Sequence, residues 1–476
     1  MPRHEHETSA GQQLSGNAPA GRITERAVLV VATLTSFLGP FMGSSVNVAL
    51  PSIGADFAMG SATLGWVNMA FLTTAAAFSI PFGRLGDLFG RKRIYGAGMV
   101  VFTLASVLIA VAPSGTVVIV GRALQGFGSA MIFATGMAIL VSVFPPDQRG
   151  QVLGINVAAV YLGLSSGPFV GGVMTEHLGW RSIFWLNLPV GLVLVIMMTI
   201  LLKGEWADAA GARFDWIGAA ILVVALSLTV NSFAGLPHVM AAVALAVGLG
   251  GLVAFVLYEQ HHDQPIIDIA LFRHNRVFAF SSLAALINYA ATFAVAFLLS
   301  LYLQNVRGFS PQAAGLVLVT QPLIQALLSP YAGRLSDRVE PRNVASIGMA
   351  LNFVGLALLV TVGRHTPMVF VIACLGFLGL GFALFSSPNT KAIMSSVERR
   401  EYGVASAVVG TMRQVGMTFS MGVVMVTLAI RLGQAEVNAA TAEPFIGSMR
   451  LALSLFAALC CAGIFASLAR GTAESS

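Results

Sequence analysis

The chain has 476 residues, of which 57% are hydrophobic and only 10% charged, and its mean hydropathy is +0.84. Soluble domains do not carry this balance, and the net charge of +6, spread over short loops between apolar runs, reads as a membrane-topology signal rather than a nucleic-acid surface. Cys374, Cys460 and Cys461 sit in apolar runs, no Cys/His/Asp/Glu spacing resembles a metal site and no nucleotide-binding loop is present, so an enzyme is excluded and no metal or cofactor is expected.

Residues 1–25 are polar and lack the apolar core of a cleavable signal, which predicts a disordered tail. A bilayer core takes about 20 apolar residues per helix. The charged, Pro and Gly punctuation of the remaining chain leaves fourteen such spans, at 28–50, 63–82, 94–112, 116–142, 151–175, 182–202, 216–235, 239–258, 277–304, 312–332, 343–362, 367–390, 402–430 and 447–469. An even number of crossings returns both termini to one side. Eighteen of the 26 Lys and Arg residues fall on that side and five (Arg181, Arg307, Arg364, Arg431 and Arg450) on the other, which makes the terminal side cytoplasmic in a cell membrane, the inner one where there are two.

After the second span the chain reads GRLGDLFGRKR, Gly83 to Arg93, and after the tenth it reads GRLSDRVEPR, Gly333 to Arg342. The copies lie 250 residues apart and begin 55 and 56 residues after the starts of the first and ninth spans. The register predicts an all-α polytopic membrane protein of two pseudo-symmetric six-helix bundles, 26–203 and 277–470. Two inserted helices lie between them at 204–276, and a second tail occupies 471–476. Parallel halves around a midplane cavity suit transport of a small molecule by alternating access. In the loop itself, Gly83, Gly86 and Gly90 permit close backbone approach, while Asp87 can accept hydrogen bonds from a helix N-terminus or from an arginine such as Arg91. Gly333 and Asp337 occupy the second copy.

The fourth span holds Arg122 and Gln125 in GRALQGFGSA. Arg122 either serves in coupling or charge relay, or snorkels to an interface about 9 Å away. In the fifth span, Gly163, Gly167, Pro168, Gly171 and Gly172 strip one face of side chains and interrupt one backbone hydrogen bond, as a hinge or a close-packing face. Arg413 lies roughly 16 Å into the thirteenth span, near the midplane, and joins Arg122 as a charge-relay candidate. Polar residues placed to line a cavity or to bond helices together are Asn47, Asn68, Asn156, Tyr161, Asn288, Tyr289, Gln321, Gln325, Asn389 and Gln414.

The repeated GRLxD turn resembles the helix 2–3 loop signature of the major facilitator superfamily, and the GxxxGPxxGG run is similar to the helix 5 signature of its antiporters. WRSIFWLNLPVG (180–191), FDWIGAA (214–220), FSSPNTKAIM (385–394) and TMRQVG (411–416), with the two inserted spans, resemble the fourteen-helix drug:proton antiporter branch. The resemblance covers nearly everything beyond residue 25. It implies a monomer that exchanges small molecules for protons across a lipid bilayer, with Gly83, Asp87, Gly90 and Arg91 latching the cytoplasmic ends in the outward-facing state. One position departs: Met42 stands where that branch carries an aspartate. None of the twenty acidic residues falls in the middle third of a span, so coupling would rest on an end-placed acid such as Asp87, Glu176 or Asp215. The cargo expected is neutral, zwitterionic or anionic and aromatic or amphipathic, moved outward; uptake of a nutrient such as a vitamin or organic anion is the alternative.

Overall fold

The structure, a computed structural model, describes residues 18–202, 204–206, 213–235, 239–262, 266, 270–397, 402–433, 435–438 and 440–470, and the predicted tails at 1–17 and 471–476 lie outside them. Among the described residues every regular element is helical. The helices are α1 (Ala18–Asp56), α2 (Ser61–Phe89), α3 (Arg91–Ala110), α4 (Gly115–Val143), α5 (Pro146–Leu178), α6 (Arg181–Leu201), α7 (Trp216–Gly235), α8 (Val239–Glu259) and the short α9 (Ala270–His274). They continue with α10 (Arg276–Thr292), α11 (Val295–Leu301), α12 (Pro311–Leu318), α13 (Thr320–Arg338), α14 (Pro341–Val360), α15 (Met368–Ser395), α16 (Tyr402–Leu432) and α17 (Ala442–Ala469). Thirteen stretches are long and apolar enough to cross a membrane and α7 adds a shorter apolar one, in agreement with fourteen predicted spans.

Two spans depart from straight helices, and α1 departs from its predicted start. The predicted tail ran to residue 25, yet α1 already begins at Ala18. Pro19 falls in its first turn, where a missing N–H has no intrahelical partner to deprive. The ninth span breaks between α10 and α11 because the Ala294 N–H turns away to the Ser420 hydroxyl at 3.0 Å, and it closes in a π turn over Tyr302–Val306. The tenth divides into α12 and α13 at Val319, four residues after Gly315, where Pro322 offers no N–H to the Leu318 carbonyl.

The first six helices pack chiefly on one another, as α1 on α5, α2 on α4, and α3 on α4 and α6; among the last six spans, α10–α17, α10 packs on α16, α13 on α15, and α14 on α15 and α17. The same glycine contact recurs in both groups. A side-chain carbon at Gly128 would stand 2.8 Å from the Gly98 carbonyl oxygen, and one at Gly348 would stand 2.6 Å from that of Gly381. Gly98 and Gly348 are 250 residues apart, the spacing of the repeated loop.

α7 lies across the line where the two groups meet. Its Leu226 and Val230 pack with Met69, Ala76 and Ala77 of α2 and with Met425 of α16, and Asn231 accepts a hydrogen bond from Thr73 of α2 at 3.3 Å. α8 packs behind it and turns most of its surface outward, Val239 and Met240 being more than three-quarters exposed, as a lipid-facing helix does. α1 begins and α17 ends at one end of the bundle, termed the near end; the opposite one is the far end.

Candidate functional site

At mid-depth the seam between the first and last six helices is lined by Phe133 of α4, Tyr161 of α5, Tyr289 of α10, Phe382 and Ser386 of α15 and Arg413 of α16. The Tyr161 hydroxyl lies 3.2 Å from the Ser386 hydroxyl, across the seam. The Arg413 guanidinium stands 5.8 Å from the centre of the Phe133 ring, also across it. Tyr289 meets Phe382 edge to face at 5.2 Å and lies beside Ser386 and Arg413. All but Phe382 remain half-buried, as groups facing an opening between helices do. Among the described residues no carboxylate pairs with Arg413. One fixed positive charge, two phenols and several ring faces can hold a planar group bearing neutral or negatively charged oxygen atoms.

Other residues singled out by sequence settle into helix-to-helix bonds. Asn68 donates to Asn47 at 2.6 Å, both buried among the first six helices. Asn352 donates to Asn288 at 2.9 Å, and Asn389 accepts from Arg470 at 3.0 Å while donating to the Ser281 carbonyl. These bonds pair part of the buried amide groups, and the Asn288 Nδ2 and Asn352 Oδ1 atoms are left without a hydrogen-bond partner. Asn156 and Gln325 are buried, Gln321 is half-buried, and Gln414 is buried with its side-chain carbonyl oxygen unpartnered.

Arg122 does not snorkel. It is 1% exposed, donates to the Val67 carbonyl at 3.0 Å and to Gln125 at 2.8 Å, and covers the Phe71 ring at 4.3 Å. Gln125 passes the chain to Ser106 at 2.7 Å, which also accepts from Asn187 at 3.2 Å. Four helices, α2, α3, α4 and α6, are thereby tied through one buried network.

Met42, at the position of the missing aspartate, is 1% exposed and belongs to the apolar core of the first six helices. Its neighbour Gly43 is the residue with open space where a side chain would project, one turn beyond Gly39, which faces Phe133. Met42→Asp is therefore expected to destabilise the fold by on the order of 3 kcal/mol, through an unpaired buried carboxylate, rather than to admit cationic cargo. Membrane yield and cationic-dye transport check this; normal yield with gained cation transport refutes it.

The fifth-span glycines work on two faces. Gly163, Gly167 and Gly171 receive α1: Ser45 donates to the Gly167 carbonyl at 3.0 Å, and a side-chain carbon at Gly171 would stand 2.6 Å from that of Ser45. Pro168 and Gly172 receive α12 from across the seam. A carbon at Gly172 would stand 2.7 Å from the Pro311 carbonyl oxygen, and one at Gly315 would collide with the Pro168 carbonyl. This crossing lies at the far end, where hydrogen bonds join the two groups: Gln312 N–H to Glu176 at 3.0 Å, Gln304 to the Val48 carbonyl at 2.9 Å, and Ser61 N–H to the Ala435 carbonyl at 3.3 Å.

At the near end the loop after α2 is bonded to its own half. Asp87 accepts from Arg91 at 2.7 Å, and Arg91 donates on to Ser142 of α4 at 2.7 Å, all within the first six helices. Gly90 carries a φ of +109°, a conformation suited to glycine, and Glu205 fills the place a side chain would take. Glu205, which the sequence did not single out, also accepts from the Lys92 N–H at 2.8 Å. Gly86 is held against Thr135, whereas Gly83 has room for a methyl group. Gly333 faces the Ser387 hydroxyl at 3.2 Å; Asp337 lies in α13, with its side chain outside the described residues.

The family profile described as Major Facilitator Superfamily matches residues 32–205 and 281–471. The chain belongs to the major facilitator superfamily. Relatives in it include the "Riboflavin transporter RibZ" of Clostridioides difficile, 32% identical over 401 residues (83% of this chain, 86% of that one). The "Cephamycin export protein CmcT" of Amycolatopsis lactamdurans is 31% identical over 468 residues, 94% of each chain. The "Multidrug resistance protein Stp" of Mycobacterium tuberculosis is 32% identical over 429 residues (89% and 78%). A solved peptide transporter, POT, superimposes with a TM-score of 0.68 at 13% identity over 93% of this chain and 97% of its own, a likeness of fold. Membership of the superfamily makes the protein a multi-pass membrane transporter rather than an enzyme, and the helix count agrees with its fourteen-helix branch.

Proposed function

We propose that the protein is a proton-coupled exporter of aromatic or amphipathic small molecules, neutral to anionic, working as a monomer by alternating access. The near end faces the cytoplasm of the cell membrane, following the Lys and Arg asymmetry. The observation that carries the reading is Arg413, set at mid-depth in the seam among Phe133 and Tyr289 without an acidic partner among the described residues. The contacts across the far end, from Gln312 to Glu176, Gln304 to Val48 and Ser61 to Ala435, support an inward-facing arrangement. Two of the relatives above carry export or multidrug resistance in their names.

Uptake of a nutrient such as a vitamin is the second reading, favoured by the riboflavin transporter among the relatives. One experiment separates the two. Proteoliposomes with an imposed pH gradient are expected to move an anionic aromatic dye against the proton flux; movement with the protons supports uptake, and indifference to the gradient removes proton coupling.

A further inference from the structure

We propose that external protons act on the far-end gate through Glu176, whose carboxylate, carried by one half, holds the first turn of α12 in the other and lets go when protonated. The inference rests on the exporter reading and adds regulation to it.

The arrangement begins at Gly172. With no side chain there, the start of α12 lies directly on α5, and Glu176, one turn further along α5, meets the exposed N–H groups of that start. Its Oε2 accepts from the Gln312 N–H at 3.0 Å, and the Ser310 hydroxyl reaches it as well. Pro311 has no N–H to offer, and Ser310 caps the Ala313 N–H at 3.3 Å, so Glu176 satisfies the donor that α12 leaves over. The partial positive charge of a helix N-terminus attracts a carboxylate, and the attraction vanishes on protonation.

Glu176 is the titratable group between α5 and α12, while Glu436, next to Ala435, lines the far-end seam beside Ser61 and Leu64. The Gln304–Val48 and Ser61–Ala435 hydrogen bonds across the far end join an amide to a carbonyl and a backbone N–H to a carbonyl. His177 follows it on α5. Asp56 at the end of α1 is paired with Arg181 at the start of α6 at 2.6 Å, and Arg307, before α12, is held by Tyr302 and the Thr366 carbonyl. α12 itself carries no titratable residue. Glu176 is exposed at the far surface, so protons reach it from that side and stay there. It biases the gate and does not carry the transported proton across.

The test uses the full chain in lipid nanodiscs, with the native cysteines replaced and spin labels on Val111→Cys and Val369→Cys, two exposed sites at the far end, one in each half. The Ser310 hydroxyl and the Gln312 N–H hold the Glu176 carboxyl below the usual carboxylate range, so the contact is lost only as pH falls through and below about 4.3, and distances are read at pH 7.5 and at about pH 4. The parent is expected to shift toward the longer distance on acidification. E176Q is expected to show the longer distance at both pH values, a roughly 3- to 10-fold change in the ratio of states at pH 7.5. E176D should retain the response, and S310A should shift in the same direction as E176Q, which serves if E176Q does not fold. An E176Q protein that keeps the short distance at pH 7.5, or shifts as far as the parent, overturns the proposal. Gradient-driven transport by the parent, measured separately, decides the coupling reading without altering this result.

Discussion

Gly163→Val is expected to keep the protein from accumulating in the membrane, whereas Gly172→Val is expected to yield a folded protein that no longer transports. The two glycines sit nine residues apart on one helix, but their neighbours differ. A side chain at Gly163 would strike the Phe37 carbonyl and stand 3.1 Å from the Phe41 nitrogen, backbone atoms of α1 that cannot move aside. That crossing lies within one half and persists whichever way the transporter faces, so overpacking there costs about 1–3 kcal/mol of folding. A side chain at Gly172 would stand 3.0 Å from the Gln312 Cα, in the half that separates from it in the proposed alternating-access cycle. The same cost then falls on one state alone, and about 1–3 kcal/mol shifts the balance of states by roughly 5- to 150-fold. Thermal unfolding in detergent separates the variants. Maleimide labelling of Leu64→Cys, which is buried in the far-end seam, reads the shift. If Gly172→Val leaves that cysteine as protected as in the parent, the crossing is not the gate.

Replacing Arg413 by Ala is expected to lower transport of anionic aromatic substrates by roughly 10- to 100-fold, the value of one hydrogen bond to a charged group. Folding should survive, because Arg413 is half-buried and no carboxylate among the described residues depends on it. Arg413→Lys should recover only part of the loss, since a lysine keeps the charge but not the planar fork that stacks on Phe133. Cationic dyes should be moved as well as before or better, as a repelling charge has gone. Initial rates for an anionic and a cationic dye in the same vesicles give the comparison, and an equal loss for both would falsify a role in charge selection.

Hydropathy and the repeated loop made most of the fold legible, because the length of a membrane helix and the register of a duplication are properties of one dimension. The breaks within the ninth and tenth spans were not. The first depends on Ser420, 126 residues away, and leaves no mark beside Ala294. The site was legible in its rare groups: Tyr161, Tyr289 and Arg413 stand out in apolar helices. Phe133 and Phe382 do not, among 31 phenylalanines. Met42 illustrates the reverse. The absent aspartate was plain in the motif, but only packing shows that the side chain points into the core while Gly43 beside it meets open space. Glu205 and Glu176 act on partners far along the chain, on Lys92 and Gln312, which no local pattern announces.

The inserted pair meets the two halves through different chemistry. α7 is tied to α2 by the hydrogen bond from Thr73 to Asn231, whereas its contact with α16 is made by apolar side chains, Met425 among them, and methionine adapts to a changing surface. In the proposed alternating-access cycle the inserted pair is therefore expected to travel with α2, setting eight helices against six.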